Sequence, residues 1–237
     1  MEIFNQPKEF LLDQHNIFAE KFTKLENGQT IDHPWYLTGG GDWMYPSFID
    51  SIQRAGKEKY NVVFEWCFGH GRIGWELLTK NFCRQLVFND CYDLAVTIGA
   101  KNAEKLGYKH AVRGYHTPTI SAIPIAEKFD LVIGNPPHIF DKDHIYKMYK
   151  NRPQEMIDLA CRTTVDQDWK IHEDFFKYIG NYLTDDADIF INNHSTMKRY
   201  TEKMAAEYGF QLINNFEKNT AGQDQFPILH FKKLDSM

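Results

Sequence analysis

From Asn61 onward, short apolar runs of strand length alternate with segments of helical period, and few folds accommodate that regularity. Strands joined by helical crossovers pair in parallel, and a parallel sheet needs cover on both faces. Val62-Val63-Phe64 reads as a first strand, Ile73 to Lys80 as its crossover helix, Gln85 to Phe88 as a second strand, and Tyr92 to Leu106 as a second helix stopped by Gly107. Phe129 to Ile133 is a further buried strand, and Asp188 to Asn192 another, preceded by a helix from His172 to Leu183. Phe210 to Phe216 and Phe226 to Phe231 close the series as a pair of strands, with turn chemistry at Asn219, Gly222 and Asp224 between them. The pattern predicts a doubly wound α/β domain.

Ahead of it, apolar residues at helical spacing predict one or two helices over Lys8 to Lys24. A turn-rich stretch from Glu26 to Asp42, with Asn27-Gly28 and Gly39-Gly40-Gly41, marks the internal boundary. The expected organisation is therefore a helical extension over residues 1–42 and a catalytic domain over 43–237. A chain of 237 residues buries one substantial core with room for such an extension. Apolar runs such as Phe129 to Ile133 are far shorter than the roughly 20 residues a membrane span requires. The N-terminus lacks a basic stretch followed by an apolar block, so a cytoplasmic location is expected. Cys67, Cys83, Cys91 and Cys161 show no metal-knuckle spacing; they are expected as reduced thiols, with no metal. A net charge of −5 weighs against an extended nucleic-acid face, although Lys142, Lys147, Lys150 and Arg152 form a local basic cluster.

After the first strand comes Glu65-Trp66-Cys67-Phe68-Gly69-His70-Gly71-Arg72-Ile73-Gly74. The glycines at 69, 71 and 74, with Asp90 about twenty residues on, also fit a dinucleotide fingerprint, which would make the chain a nicotinamide enzyme. Glu65 points elsewhere. A carboxylate at the strand's end repels a pyrophosphate but suits a cofactor bearing an α-amino group and a sulfonium. The glycines then let backbone pass close to the methionine and ribose moieties, with Cys67 and Phe68 in the same cradle. Asp90, ending the second strand, is placed to accept a ribose diol, with Cys91 or Tyr92 beside the adenine. Asp90 could equally cap the following helix.

Phe64 to Gly74, Asp90 to Gly107 and Phe129 to His138 together resemble the class I S-adenosylmethionine-dependent methyltransferases. Within them, Asn135-Pro136-Pro137 after a buried strand is similar to the Asn-Pro-Pro-Tyr group that includes release-factor glutamine methyltransferases. The resemblance spans Asn61 to Phe140, and it implies a Rossmann-like, seven-stranded, mostly parallel sheet whose last strand runs antiparallel. It also implies S-adenosyl-L-methionine as cofactor and a protein glutamine as the favoured substrate. Two positions depart from the group. Val112 to His116 offers no acidic residue for the adenine amino group, leaving backbone or Tyr115 to serve. His138 stands where the group has Tyr or Phe.

An amide or aromatic amino nitrogen is a poor nucleophile because its lone pair is delocalised. The Asn135 side-chain oxygen and the Pro136 carbonyl can accept from its two N–H groups and aim the lone pair at a methyl donor. Pro136 and Pro137 stiffen that backbone and bring no competing N–H. Asn135, Pro136 and His138 are thus the expected catalytic set, with Asn135 also bordering the cofactor. A nucleic-acid adenine flipped into the site is the competing substrate, and a non-catalytic module on the same fold the competing class. Softer candidates are Tyr36 to Asp42, folding over the methionine end; a cluster of Asp166, Asp168, Trp169 and His172, with Asp168 expected as a helix cap; and His194, after a strand.

Overall fold

The computed structural model describes residues 20–34, 41–217 and 226–234. Its centre is a seven-stranded sheet. The strands are β3 (Tyr60–Trp66), β4 (Cys83–Asp90), β5 (Val112–His116), β6 (Phe129–Gly134), β7 (Leu183–Asn192), β8 (Phe210–Phe216) and β9 (Ile228–Lys233), in spatial order β5-β4-β3-β6-β7-β9-β8. β3 to β7 pair in parallel, and β9 lies antiparallel to both β7 and β8. The predicted strands and crossover helices are all present: β3, β4, β6 and β7 run one to five residues longer than the apolar runs that marked them, β8 keeps its expected bounds, β9 is shifted by two residues, and the helices are of equal length or shorter.

Alternation along the strands divides the core in two. Val63, Leu86, Phe88, Leu131 and Ile133 face a layer made by α1 (Gly41–Arg54), α2 (Arg72–Thr79) and α3 (Asp93–Lys105). Phe64, Trp66, Val87 and Val132 face the opposite layer, where α6 (Lys170–Ile179) contributes Phe175, Phe176 and Ile179 and α7 (Lys198–Glu207) contributes Ala205. The inner parallel strands β3, β4, β6 and β7 carry runs of consecutive buried residues and so are covered on both sides, as parallel pairing demands, whereas the edge strands β5 and β8 are partly exposed.

Two regions differ from the sequence expectation. Glu20–Lys24, the end of the segment predicted helical, is a strand, β1; it forms an antiparallel hairpin with β2 (Thr30–Pro34), and Lys8 to Ala19 lie outside the described residues. Gly28, with φ of 88°, makes the turn, and Leu25 and Ile31 drop into the core. The Asn102 side chain on α3 pins the hairpin, accepting from Asp32 N–H and donating to Asp32 C=O, both at 2.9 Å. The boundary expected at residue 42 falls in the first turn of α1.

The second difference is an insertion after β6: α4 (Lys142–Tyr149) and α5 (Gln154–Thr164), which share a small core of Ile145, Ile157 and Val165. No helix among the described residues is long and apolar enough to cross a membrane. The closing turn at Asn219, Gly222 and Asp224 lies outside the described residues.

Candidate functional site

In spatial order the chain runs outward from β3 to β5, then returns to the other side of β3 with β6, so the connections diverge between β3 and β6. In open α/β sheets a crevice forms beyond the carboxyl ends of the strands at such a point. Trp66 pairs with Asn89 on one side and Gly134 on the other, so the glycine loop, Asp90 and Asn135 leave three adjacent strands at the same edge.

The loop is organised by two carboxyl groups. Asp90, buried, accepts from Gly69 N–H at 2.8 Å and from Tyr92 N–H at 2.9 Å. Tyr92, not Asp90, is the N-cap residue of α3. Burial raises the Asp90 pKa, and the two backbone donors partly offset that. Glu65, 3% exposed, lies one residue before the strand's end and accepts from Gly74 N–H at 2.9 Å. Burial pushes its carboxyl up to about 8, against the Gly74 hydrogen bond and with a smaller push from Asp90. A carboxyl held near neutrality in a protein cradle gains strongly from an arriving cation.

The glycines have steric roles. A Cβ on Gly71 would lie 2.1 Å from the Phe68 ring, and φ there is 74°. A Cβ on Gly74 would meet Glu65 Oε2 at 2.3 Å. Cys67 itself has φ of 57°, the left-handed region that favours glycine, and burial holds its thiol well above the usual range. Phe68 stacks on Phe88 at 3.8 Å between centroids, so it is a loop anchor within the core. The Tyr115 hydroxyl donates to Glu127 Oε1 at 2.7 Å, beside the Arg113 to Glu127 ion pair. Cys91 is exposed, and its carbonyl lies 3.1 Å from His116 Nε2.

Beyond β6, the segment from Asn135 to Ile139 is clamped by main-chain bonds. Ile139 N–H donates to Thr164 C=O, and Asp166 N–H donates to Ile139 C=O. Pro136 is buried, and Pro137 and His138 are half-buried. His138 Nδ1 is shut off from solvent and meets no hydrogen-bonding group among the described residues. Burial, with His172 and His194 nearby, pushes the His138 pKa down to about 3, so its imidazole is neutral. Its ring tilts against Phe226 at 5.6 Å, and His194 meets the same ring edge-on at 5.2 Å. Imidazole and phenyl thus form a wall of two rings inclined at 54° to one another.

Behind this wall sits a fully buried pair. Asp166 accepts from His172 Nδ1 at 2.7 Å and from the N–H groups of Ile171 and His172, so Asp166 rather than Asp168 satisfies the start of α6. Asp168 and Trp169 instead form a left-handed kink with φ of 58° and 60°. The kink lays the Trp169 ring parallel to His172 at 4.2 Å, and Trp66 meets His172 edge-on at 5.3 Å. Burial lowers the His172 pKa against the pull of Asp166. His194 caps the following 3-10 turn, accepting from Thr196 N–H. Of the candidate stretch Tyr36 to Asp42, only Gly41 and Asp42 are described, and they open α1.

Comparison with solved structures gives the same architecture. A ribosomal protein L11 methylase from Lactobacillus delbrueckii subsp. bulgaricus matches at a TM-score of 0.56 and 15% identity, over 79% of this chain and 76% of that one. An S-adenosylmethionine-dependent methyltransferase from Clostridium acetobutylicum matches at 0.57 and 13%, over 82% and 93%. The Thermus thermophilus 16S rRNA N2 G1207 methyltransferase RsmC, in complex with AdoMet and guanosine, matches at 0.58 and 16%, over 91% of this chain and 50% of that one. No protein-family model matches the sequence, and neither does any curated protein. The fold is the Rossmann-like α/β fold of these methyltransferases, as the sequence pattern implied.

Proposed function

We propose that this chain transfers a methyl group from S-adenosyl-L-methionine to a planar amino or amide nitrogen held at Asn135 and Pro136. The observation carrying this reading is the convergence, at the switch point of the sheet, of a buried carboxyl at Glu65, a glycine loop bound to Asp90, and the Asn135-Pro136-Pro137-His138 segment. The three solved relatives, all methyltransferases, support it through the shared fold.

In this reading Glu65 receives the α-ammonium of the cofactor, Asp90 turns its remaining acceptor capacity to the ribose, and Cys91 and Tyr92 border the adenine. Phe68 stiffens the loop from within. The bound cofactor supplies an electrophilic methyl. The Asn135 side-chain oxygen and the Pro136 carbonyl accept from the target –NH₂ and hold its lone pair in line, which is worth much of the rate through positioning alone. The His138 ring lies against the target plane. Being neutral, it places no positive charge beside the sulfonium.

Protein glutamine follows from the sequence likeness. A second substrate, an exocyclic amino group of a nucleic-acid base, is favoured by one observation: Lys142, Tyr146, Lys147, Met148, Lys150 and Arg152 are all exposed on the insertion that begins just after Phe140. Calorimetric titration tests the cofactor, with S-adenosylhomocysteine expected to bind; binding of NADH in its place would overturn the reading. Transfer of labelled methyl to protein and oligonucleotide pools tests the target. Asn135→Ala is expected to lower transfer by about a hundred- to thousandfold with cofactor affinity retained.

A further inference from the structure

Three segments distant in sequence bring His33, Asp42 and His70 together. His33 comes from β2, Asp42 from the first turn of α1 and His70 from the glycine loop. One potential ligand atom from each lies within 4.8 Å of the other two. Both imidazoles are 2% exposed, whereas the Asp42 side chain is 40% exposed, which leaves a route from solvent. His70 Nε2 stands 3.0 Å from Asp42 Oδ1. Thr23 Oγ1 stands 2.8 Å from His33 Nε2 and 3.1 Å from either Asp42 oxygen, and the two histidine rings meet edge-on at 4.7 Å. Arg72, the cation next along the loop, is already paired with Glu76 at 2.7 Å.

We propose that this cluster is a binding site for a divalent transition metal, zinc by its donor set, tying the N-terminal hairpin and α1 to the glycine loop. Two neutral imidazoles and one carboxylate suit borderline Zn²⁺, whereas Mg²⁺ and Ca²⁺ favour oxygen ligands. Zinc–nitrogen distances of about 2.0–2.1 Å ask for small adjustments of the three ligand atoms around a common centre, with Thr23 as fourth ligand or as partner to a bound water. The histidines bind as neutral imidazoles. The ion then replaces the His70 to Asp42 hydrogen bond with two bonds to one centre. His70 lies between Gly69, which donates to Asp90, and Gly71. Metal binding therefore fixes the loop at the residue next to the one that Asp90 holds. The site stands on its own residues and does not depend on the cofactor reading.

The test uses the full chain, stripped with a chelator and titrated with Co²⁺ as a coloured stand-in for Zn²⁺. One equivalent of cobalt is expected to give the intense visible absorption of a four-coordinate nitrogen and oxygen site, and one equivalent of Zn²⁺ to abolish it. His33→Ala, His70→Ala and the near-isosteric Asp42→Asn are expected to lose the signal, His110→Ala on the surface to keep it, and Thr23→Val to weaken affinity about ten- to hundredfold. Thermal melts check that each variant is folded. A wild-type protein that retains no stoichiometric zinc and gives no such cobalt spectrum, which needs no variant to establish, refutes the site. So does a folded Asp42→Asn or His70→Ala protein that binds as the wild type does; the cluster is then a hydrogen-bonded bridge only.

Discussion

Glu65 offers the sharpest prediction because its burial has a measurable cost. Raising a carboxyl from 4.5 to about 8 corresponds to about 5 kcal/mol against the charged form. At pH 7 the free protein therefore carries a proton on Glu65 in roughly nine molecules of ten. If the cofactor's ammonium docks against that carboxyl, the proton must leave. Calorimetry of S-adenosylhomocysteine binding at pH 7, repeated in buffers of different ionisation enthalpy, is expected to register close to one more proton released by the wild type than by Glu65→Gln. Gln keeps the shape and can still accept from Gly74 N–H, while the ligand's own amine contributes equally to both and cancels. Equal proton release by the two proteins, or undiminished affinity in the variant, would refute the proposed role. The same group predicts a pH dependence without ligand. Between about 4.5 and 8 the folded state holds a proton that the unfolded state has lost, so stability falls as pH rises through that window, and Glu65→Gln flattens the fall.

Gly74→Ala sets a Cβ 2.3 Å from Glu65 Oε2 and 2.7 Å from Leu86 Cδ1, so urea unfolding is expected to record a loss of about 1–3 kcal/mol. Asp166→Ala removes the acceptor of His172 Nδ1 and of two backbone N–H groups; denaturation is expected to show a loss of at least about 2 kcal/mol, and α6 amides near its start should exchange faster. His138, held near 3 when folded and about 6.5 when unfolded, leaves the unfolded state binding the extra proton between those values. Acid titration of stability should therefore fall as pH drops below about 6.5, and His138→Phe should reduce that fall.

The strands and helices from Val62 to Leu106 were legible because each is specified locally: continuous apolar runs, a glycine loop whose tight contacts exclude side chains, and Gly107 at φ of 83° to end α3. The pairing of Asn27 with Gly28 marked a turn, but among the described residues of the hairpin Leu25 and Ile31 are the only buried apolar side chains, too few to set a period. The insertion of α4 and α5 escaped notice for a similar reason, since its buried core is only Ile145, Ile157 and, just past α5, Val165. The positions of Glu65, Asp90 and Asn135 at one edge of the sheet could be read because strand ends place them. Asp166 and His172 were grouped as one cluster, but the bond between them could not be read, because it depends on two consecutive left-handed residues, Asp168 and Trp169, the second of which is uncommon there. The grouping of His33, Asp42 and His70 needed the hairpin's docking on α3, which no local signal encodes.

β9 lies between β7 and β8, although it is made last. During vectorial synthesis the outer edge of β7 therefore emerges with no strand beside it, and β8 arrives with a gap to leave rather than a partner to join. Only when residues 228–233 appear can both ladders close. Until then the nascent chain presents an unprotected, strongly apolar edge at Ile189, Phe190 and Ile191, the kind of template that invites pairing between molecules. A ribosome stalled short of Ile228 should hold a species that recruits chaperones, and release of the final strand should end that dependence within one cooperative step.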